Sequence, residues 1–213
     1  MKARLLAFSL VLLSAPLPAQ APATGAPAFH TYSNPLGFSY AIAADWEVAD
    51  SQTVSTQARD KAAQSATSEA EKKGVACVQV GLTARHGDPA SVIVEVALPF
   101  DCYGQQFTQD EMPGFGAGVA EGLKQNFDLG DPQVITYASG AHHLWSERVY
   151  GTPKGQPERH YTIEISCALL SKAAVCWMTM AADNASLAVF EHGAVTLESD
   201  PPVALVPAGT FKQ

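Results

Sequence analysis

Four cysteines are the residues of this sequence whose type and spacing most clearly imply chemistry. Cys77, Cys102, Cys167 and Cys176 form an even set, and in an exported chain an even set favours disulfide bonds over a metal site or a catalytic thiol. Four cysteines allow three pairings. A cysteine nucleophile, with Cys102 as the first candidate and a distant histidine as its partner, is the competing hypothesis.

The spacing of the last two cysteines suits a β-hairpin. Counting outward from a two-residue turn at 171–172 brings Cys167 opposite Cys176. That position is a non-hydrogen-bonded pair, in which the Cα atoms lie about 4.5 Å apart, and a disulfide accepts this distance. Ser-Lys is a weak two-residue turn sequence, so the register is the weakest step. Cys77 and Cys102 then pair by elimination, with two buried free thiols as the alternative.

The histidines do not follow a metal-binding pattern. His142 and His143 are adjacent, so on a strand their side chains point to opposite faces. His160 could meet one of them from a neighbouring strand, with Glu147 or Glu158 nearby. A zinc site needs three or four converging ligands, so solvated or hydrogen-bonded histidines are the favoured interpretation and no metal ligand is predicted.

Other catalytic and cofactor motifs are missing. The glycines at 114, 116 and 118 resemble a phosphate loop, but neither a following Lys-Ser/Thr nor Gly-x-Gly-x-x-Gly spacing is present. The sequence has no Gly-x-Ser-x-Gly elbow, and its scattered carboxylates suggest no pair for glycoside hydrolysis. We therefore predict no catalytic residue, no cofactor-binding residue and no cofactor.

Length and charge narrow the class of protein. A chain of 213 residues that is 47% hydrophobic suits one globular domain with a sizeable core. The formal charge is −8 and no basic run is present, which argues against nucleic acid and anionic lipid as partners. No apolar stretch beyond the N-terminus is long enough to span a bilayer, so no integral membrane segment is predicted in the mature chain.

The N-terminus predicts export. Lys2 and Arg4 precede an apolar run at 5–13, which is too short for a membrane span, and small residues follow it up to a cleavage site after Ala19. Cleavage after Ala21 fits the small-residue rule nearly as well. An uncleaved membrane anchor is the alternative. Cleavage would remove both basic residues and change the charge from −8 to −10. The predicted organisation is a signal peptide at 1–19, a disordered Ala/Pro-rich leader at 20–28 and one α+β domain at 29–213, in a periplasmic or secreted protein.

Period-2 and period-3.6 patterns predict the elements that would position these residues. Phe29–Ser33 and Phe38–Ile42 predict two strands joined by a turn at 34–37, and Trp46 is expected to anchor the strand exit in the core. The other predicted strands are 75–84, 91–98, 133–138, 142–150, 159–169 and 173–181, and the predicted helices are 50–73, 109–127 and 183–197.

The first predicted helix has an unusual apolar face. Val54, Ala58, Ala62, Ala66 and Ala70 recur at i, i+4 spacing, so they lie along one side. An alanine face can approach a sheet closely but buries little area. Packing on a sheet is the favoured interpretation, and a stripe that faces a partner is the alternative.

The opening hairpin also resembles a known family. Gly37-Phe38-Ser39-Tyr40 followed by Asp45-Trp46-Glu47-Val48 is similar to the Gly-Phe-Ser … Pro-x-x-Trp-x-Val opening of the PsbP-like fold, although the usual proline is missing before Trp46. This family is named for an extrinsic photosystem II protein and includes exported bacterial proteins of unknown function. The resemblance implies an antiparallel sheet sandwiched by helices and a non-catalytic, partner-binding role. It transfers no functional residue, because fold does not fix function.

These observations together give one fold class and two function hypotheses. The fold is predicted to be α+β, with a single antiparallel β-sheet of about six strands packed against helices as an α/β/α sandwich. The first hypothesis is an exported non-enzymatic module that binds an unidentified protein or small ligand in the cell envelope. The alternative is a small secreted hydrolase without a recognisable motif, which would need a cleft gathering His142 or His143, His160 and a carboxylate.

Overall fold

The computed structural model describes residues 29–212. The predicted signal peptide (1–19) and leader (20–28) therefore lie outside the described residues. The strands are β1 (Phe29–Ser33), β2 (Phe38–Ala43), β3 (Glu47–Val48), β4 (Gln79–His86), β5 (Ser91–Pro99), β6 (Phe127–Leu129), β7 (Gln133–Ser139), β8 (His142–Pro153), β9 (Tyr161–Leu169), β10 (Ala173–Ala181), β11 (Ala194–Leu197) and β12 (Val203–Ala204). The helices are α1 (Ser51–Ser65), α2 (Glu69–Cys77), α3 (Phe100–Tyr103), α4 (Met112–Leu123) and α5 (Asn184–His192), with a 3-10 turn at Gln109–Glu111.

The prediction of a single sheet is wrong, because the strands form two antiparallel sheets. The larger one has eight strands in the order β3-β4-β5-β10-β9-β8-β6, and β7 pairs with β8 beside β6. The smaller one has four strands in the order β1-β2-β11-β12. The mixed α and β content and the antiparallel pairing agree with the predicted class.

The two central strands of the large sheet, β5 and β10, explain why both faces of this sheet are covered by a second layer. Every residue of β10 is buried, and in β5 only Val96 is partly exposed. Val92 and Val94 join one core cluster with the helices, whereas Ile93 and Ala97 join a second cluster with the small sheet and α5. A strand that is apolar at nearly every position needs cover on both faces. The second cover is largely a sheet here, where a helical layer was expected.

The opening hairpin forms as predicted. β1 and β2 pair with Phe29 opposite Ala43, across a turn in which the Asn34 side chain accepts a hydrogen bond from the Leu36 backbone N–H at 2.7 Å. Gly37 closes the turn at a φ of +103°, which glycine adopts at little cost. Trp46 is buried and packs edge-on against Phe190 of α5, so it anchors the strand exit in the core.

The helix boundaries differ from the predictions where local capping intervenes. The predicted helix 50–73 is two helices, because Ser68 and Glu71 form a reciprocal capping box that starts α2 and so favours a break in the chain after α1. Gly74 lies inside α2, which continues to Cys77 and shortens the predicted strand 75–84 to β4. In place of the predicted helix 109–127, α4 ends at Leu123, and Phe127, the last residue of the predicted helix, begins β6.

The last predicted helix is also too long. Asp183 caps α5 through the Ser186 backbone N–H at 2.7 Å, as expected, but the helix ends at His192. Val195 and Thr196, which are β-branched and favour strands, lie in β11 and pair with β2. This strand is what joins the end of the chain to the opening hairpin.

Candidate functional site

The structure supports the two predicted cysteine pairs. β9 and β10 adopt the predicted register, with Cys167 opposite Cys176, a sulfur–sulfur distance of 2.03 Å and Cα atoms 4.1 Å apart. Cys77 and Cys102 lie at 2.10 Å between sulfurs, although Cys77 ends helix α2 and does not lie on a strand. No cysteine of the described residues is free, so the cysteine-nucleophile hypothesis finds no thiol here.

His142 is held between two carboxylates. Its Nδ1 lies 2.6 Å from Asp200 Oδ2 and its Nε2 lies 3.0 Å from Glu198 Oε2. Burial alone lowers the pKa of His142, but the hydrogen bonds to Asp200 and Glu198 and their negative charges outweigh it and raise the pKa. An imidazole that donates from both nitrogens is the charged imidazolium. The two carboxylates therefore let His142 hold a proton tightly, and both of its ring nitrogens are engaged in hydrogen bonds.

The chain bends sharply to make this contact. Glu198 has a φ of 55°, an uncommon conformation for a residue other than glycine. Its other carboxylate oxygen accepts from the Ser171 backbone N–H at 2.9 Å and from the Ser171 hydroxyl. A Cβ at Gly140 would collide with the Asp200 carboxylate. We call His142, Ser171, Glu198 and Asp200 the His142 clasp, because it ties the segment after β11 to two hairpin ends.

The histidines of the hydrolase alternative are dispersed. His142 begins β8, whereas His160 contacts Thr152 near the other end of that strand through Nδ1 and Oγ1 at 3.1 Å. Ten residues of strand separate these positions, a distance of about 30 Å. His143 is exposed, and its carbonyl accepts a hydrogen bond from the Gln109 side chain at 3.3 Å. The cleft that would support this alternative is therefore not assembled within residues 29–212.

Glu95 is a buried acid that sequence reasoning missed. It is fully buried in β5 and faces the small sheet, where Asn34 Nδ2 donates to it at 3.0 Å and the Leu82 backbone N–H at 3.2 Å. A register irregularity in β4 between Val80 and Thr83 contains the Leu82 N–H that makes this bond. Burial raises the pKa of Glu95 to about 7, although both hydrogen bonds act to lower it.

The space beside Glu95 is shared with a tyrosine. A Cβ at Gly81 would collide with both the Glu95 carboxylate and the Tyr32 hydroxyl, so only glycine fits there. Burial, together with the nearby Glu95 charge, raises the pKa of Tyr32 to about 12. A lone acid within the apolar run 91–99 is the sequence signal that could have revealed this group, since a buried charge requires partners.

A second buried ionic group lies on the same side of the large sheet. Arg148 on β8 contacts the carboxylates of Glu164 on β9 and Glu191 on α5. The Phe211 ring covers the guanidinium, with its centroid 4.6 Å from the Arg148 Cζ. Burial raises the pKa of Glu164, and the Arg148 charge opposes that change. These charges hold one another and form a structural cluster.

The opposite face of the large sheet carries an apolar cleft. α1 packs on β4 and α4 packs mainly on β9, so β5 and β10 lie between the two helices. The side chains that line the cleft are almost entirely apolar: Val94, Val96, Val119, Leu123, Ile165 and Met178, together with Cys176 of the buried disulfide. Trp177 also borders the cleft, but its ring lies on the opposite face of the sheet, against Phe38. The cleft can accept an apolar group, and no ionisable side chain lines it.

Glycine in α4 sets the height of this helix over the sheet. A Cβ at Gly116 would overlap the Trp145 ring, so the glycine lets α4 lie directly on β8. The short side chains of α1 provide little cover from the other side, where Val54 and Ala58 pack partly against this core. Sequence reasoning identified the glycines and the alanine stripe but did not connect them with a cleft.

Metal binding and membrane spanning both give negative findings in the described part of the chain. Within residues 29–212, no group of three or more His, Cys, Asp or Glu side chains could hold a metal ion. In the same part of the chain, no helix is both long enough and apolar enough to cross a bilayer.

Among known proteins, similarity is found in structure and not in sequence. No protein-family profile and no curated protein sequence matches this chain. Among solved structures, the solution structure of cyanobacterial PsbP (CyanoP) from Synechocystis sp. PCC 6803 is similar, with a TM-score of 0.43 and 11% identity over 80% of this chain and 90% of that chain. The similarity agrees with the PsbP-like resemblance of the opening hairpin, and no residue role is taken from it.

Proposed function

We propose that this chain is an exported, non-enzymatic binding module that holds a small apolar ligand in the cleft between α4 and the large sheet. The observation that carries the proposal is the lining of that cleft by apolar side chains. A site of this kind gains its affinity from water exclusion and not from charge. The ionisable groups described above, which are Glu95 and the clusters around His142 and Arg148, are hydrogen-bonded within the protein elsewhere in the fold.

The expected affinity follows from the size of the contact. The cavity in the cleft is small, about 60 Å³, so it encloses only part of a ligand. Each methylene-sized group buried there contributes about 0.8 kcal/mol, and the loss of translational freedom on binding offsets much of the total. Val119 and Leu123 on α4 would contact one side of the ligand, and Val94 and Met178 the other. We therefore expect a weak, readily reversible complex with preference for apolar shape over any particular polar group.

Two observations support export as part of the proposal. The pairs Cys77–Cys102 and Cys167–Cys176 are at disulfide distance, and such bonds persist in oxidising compartments outside the cytosol. The sequence at 1–19 has the order of a signal peptide. We propose a periplasmic or secreted location, with cleavage after Ala19.

The cleft can be tested with an uncharged fluorescent probe, N-phenylnaphthylamine, whose emission rises in an apolar site. We expect saturable binding to the wild-type chain. Val119→Phe places a ring in the cleft and should weaken binding by about tenfold, or 1.4 kcal/mol. Val48→Phe is the matched control, because Val48 is exposed on β3, away from the cleft.

Two results would contradict the proposal, one concerning the site and the other concerning the binding function. Unchanged binding by Val119→Phe, with thermal unfolding like that of the wild type, would place the probe elsewhere and contradict the proposed site. No saturable binding to the wild-type chain would contradict the binding function itself.

A further inference from the structure

β7 is an edge strand of the large sheet. All seven of its residues pair with β8, and no other strand of the described chain pairs with it. The C-terminal segment reaches β7 through side chains: the Tyr137 hydroxyl donates to the Leu205 carbonyl at 2.8 Å, and Gln133 Oε1 accepts from the Lys212 N–H at 2.9 Å. Both bonds are made by side chains of β7, and within residues 29–212 no strand pairs with its outer edge.

The other edges of the large sheet are protected. Natural edge strands avoid unwanted pairing by being short, by carrying charges or by containing proline. β3 at the far edge has only two residues, one of them Glu47. β6, beside β7, carries Asp128, and Asp131-Pro132 follows it. β7 itself reads Gln-Val-Ile-Thr-Tyr-Ala-Ser, without charge or proline, and the Val134 side chain is 54% exposed.

We propose that β7 pairs in antiparallel fashion with β7 of a second copy of this chain, about a two-fold axis at Thr136. In this register Thr136 faces its own copy, Ile135 faces Tyr137 and Val134 faces Ala138. Threonine pairs and aromatic–β-branched pairs are favourable across antiparallel strands. Each pair also shares one face of the sheet, because residues of the same parity meet. The strand is therefore complementary to itself.

Self-complementarity and closure favour a second copy over an unrelated strand. β7 carries no charged residue, so two copies of it pair without like charges directly opposite each other, whereas the net charge of −8 weakens their association. Two-fold pairing uses the same edge on both copies and stops there, giving a closed dimer. The paired strand has seven residues in each copy, fewer than the roughly 20–30 residues a side of a stable interface, so we expect a dimer that dissociates on dilution.

Charge swaps at the axis test this register by sedimentation equilibrium. Thr136→Lys places two lysines directly opposite each other, and Thr136→Glu places two glutamates there, so each variant alone should be monomeric. An equimolar mixture of the two should recover the dimer, because lysine then faces glutamate. Val48→Lys adds the same charge at the opposite edge, where the side chain is 51% exposed, and should leave dimerisation unchanged.

The outcomes are decisive because the substituted side chains are exposed and folding can be confirmed by circular dichroism. A wild-type chain that remains monomeric at about 1 mM overturns the proposal. Dimers that persist in Thr136→Lys, or a mixture that stays monomeric, overturn the register. A monomeric chain that instead adds a strand of another protein to β7 overturns the choice of a second copy.

Discussion

At the scale of single residues, Glu95 links protonation to folding. Its carboxyl is enclosed between the two sheets, where its partners are Asn34 in the turn between β1 and β2 and the Leu82 backbone N–H in the neighbouring strand β4. Two hydrogen bonds offset part of the desolvation of the charged form, but burial still outweighs them and raises the pKa to about 7. The unfolded chain, in which the group is in water, ionises at its ordinary pKa near 4.5. The two states therefore bind different numbers of protons over that interval.

We expect Glu95→Gln to change the pH dependence of stability. Between pH 4.5 and about 7 the folded wild type keeps its proton while the unfolded chain loses it, so wild-type stability falls as pH rises. Glutamine remains neutral throughout. The free energy of unfolding should therefore shift in favour of the variant by up to about 3 kcal/mol from pH 4.5 to above 7, measured by urea denaturation.

A matched control is available for this measurement. Glu158 is exposed in the loop before β9, so Glu158→Gln should give a curve parallel to that of the wild type. Parallel curves for Glu95→Gln as well would mean that Glu95 is ionised in the folded state and would contradict the assignment.

Single residues also show which parts of the candidate sites could be predicted from the sequence. A lone acid in the run 91–99 could have indicated a buried charge, since such a group needs partners. Nothing near His142 indicates Glu198 or Asp200, which lie more than fifty residues away along the chain. A pair of that kind depends on where the chain returns, and only the tertiary fold determines it.

At the scale of elements, short-range geometry was predictable and boundaries were less so. The β9–β10 register could be predicted because a two-residue turn and period-2 pairing place Cys167 opposite Cys176. The break between α1 and α2 was missed because alanine periodicity runs through it, while the Ser68 capping box acts locally. The residues of β11 are predicted to be helical because Ala194 and Leu197 continue a 3–4 spacing, but they pair with β2 and form a strand.

The two disulfides should differ in their resistance to reduction. Cys102 lies exposed in α3, whereas Cys167 is fully buried beneath α4 and Cys176 is nearly so. Exchange requires a thiolate to reach a sulfur. We expect graded dithiothreitol to open Cys77–Cys102 first, giving a folded species with two labelled thiols at those positions.

Intact mass with thiol labelling measures this order on protein produced from the full sequence. Before reduction the mass should correspond to residues 20–213 with no labelled thiol, which also tests cleavage after Ala19. Labelled thiols in the unreduced protein would contradict the pairing and revive Cys102 as a nucleophile. Simultaneous opening of both bonds would show that access to sulfur does not control the reaction.

At the scale of the whole molecule, the second sheet was missed for a topological reason. β1 and β2 pair locally, but their sheet is completed by β11 and β12 from the end of the chain. Patterns within a window of residues cannot indicate a partner that is about 150 positions away. The apolar residues on both faces of β5 and β10 require a second cover, yet the same pattern fits helices or strands. A helical layer was therefore as consistent with the sequence as the sheet that forms.

The segment 198–212 connects the two sheets. It leaves β11 at Glu198, contributes β12 to the small sheet and ends over the large sheet, where Phe211 covers Arg148. The His142 clasp fastens its start, and the bond from Tyr137 to Leu205 fastens its middle. We call this segment the strap. Its attachment should depend on pH because the clasp is built from titratable groups.

We expect His142→Gln to loosen the strap most strongly in mildly acidic solution. The pKa of His142 is raised in the folded state, so its contribution is present below the ordinary pKa near 6.5 and is lost as pH rises through the folded value. The pKa values of Glu198 and Asp200 are lowered, so their contributions are lost only as pH falls through those values. Amide hydrogen exchange in 198–212 should be about fivefold faster in the variant near pH 6 and nearly equal to the wild type near pH 9.

Comparing both proteins at each pH removes the intrinsic dependence of exchange on pH, and His143→Gln controls for loss of an exposed neighbouring imidazole. A ratio that stays constant across the pH range would show that His142 holds the strap by shape alone and not by its charge.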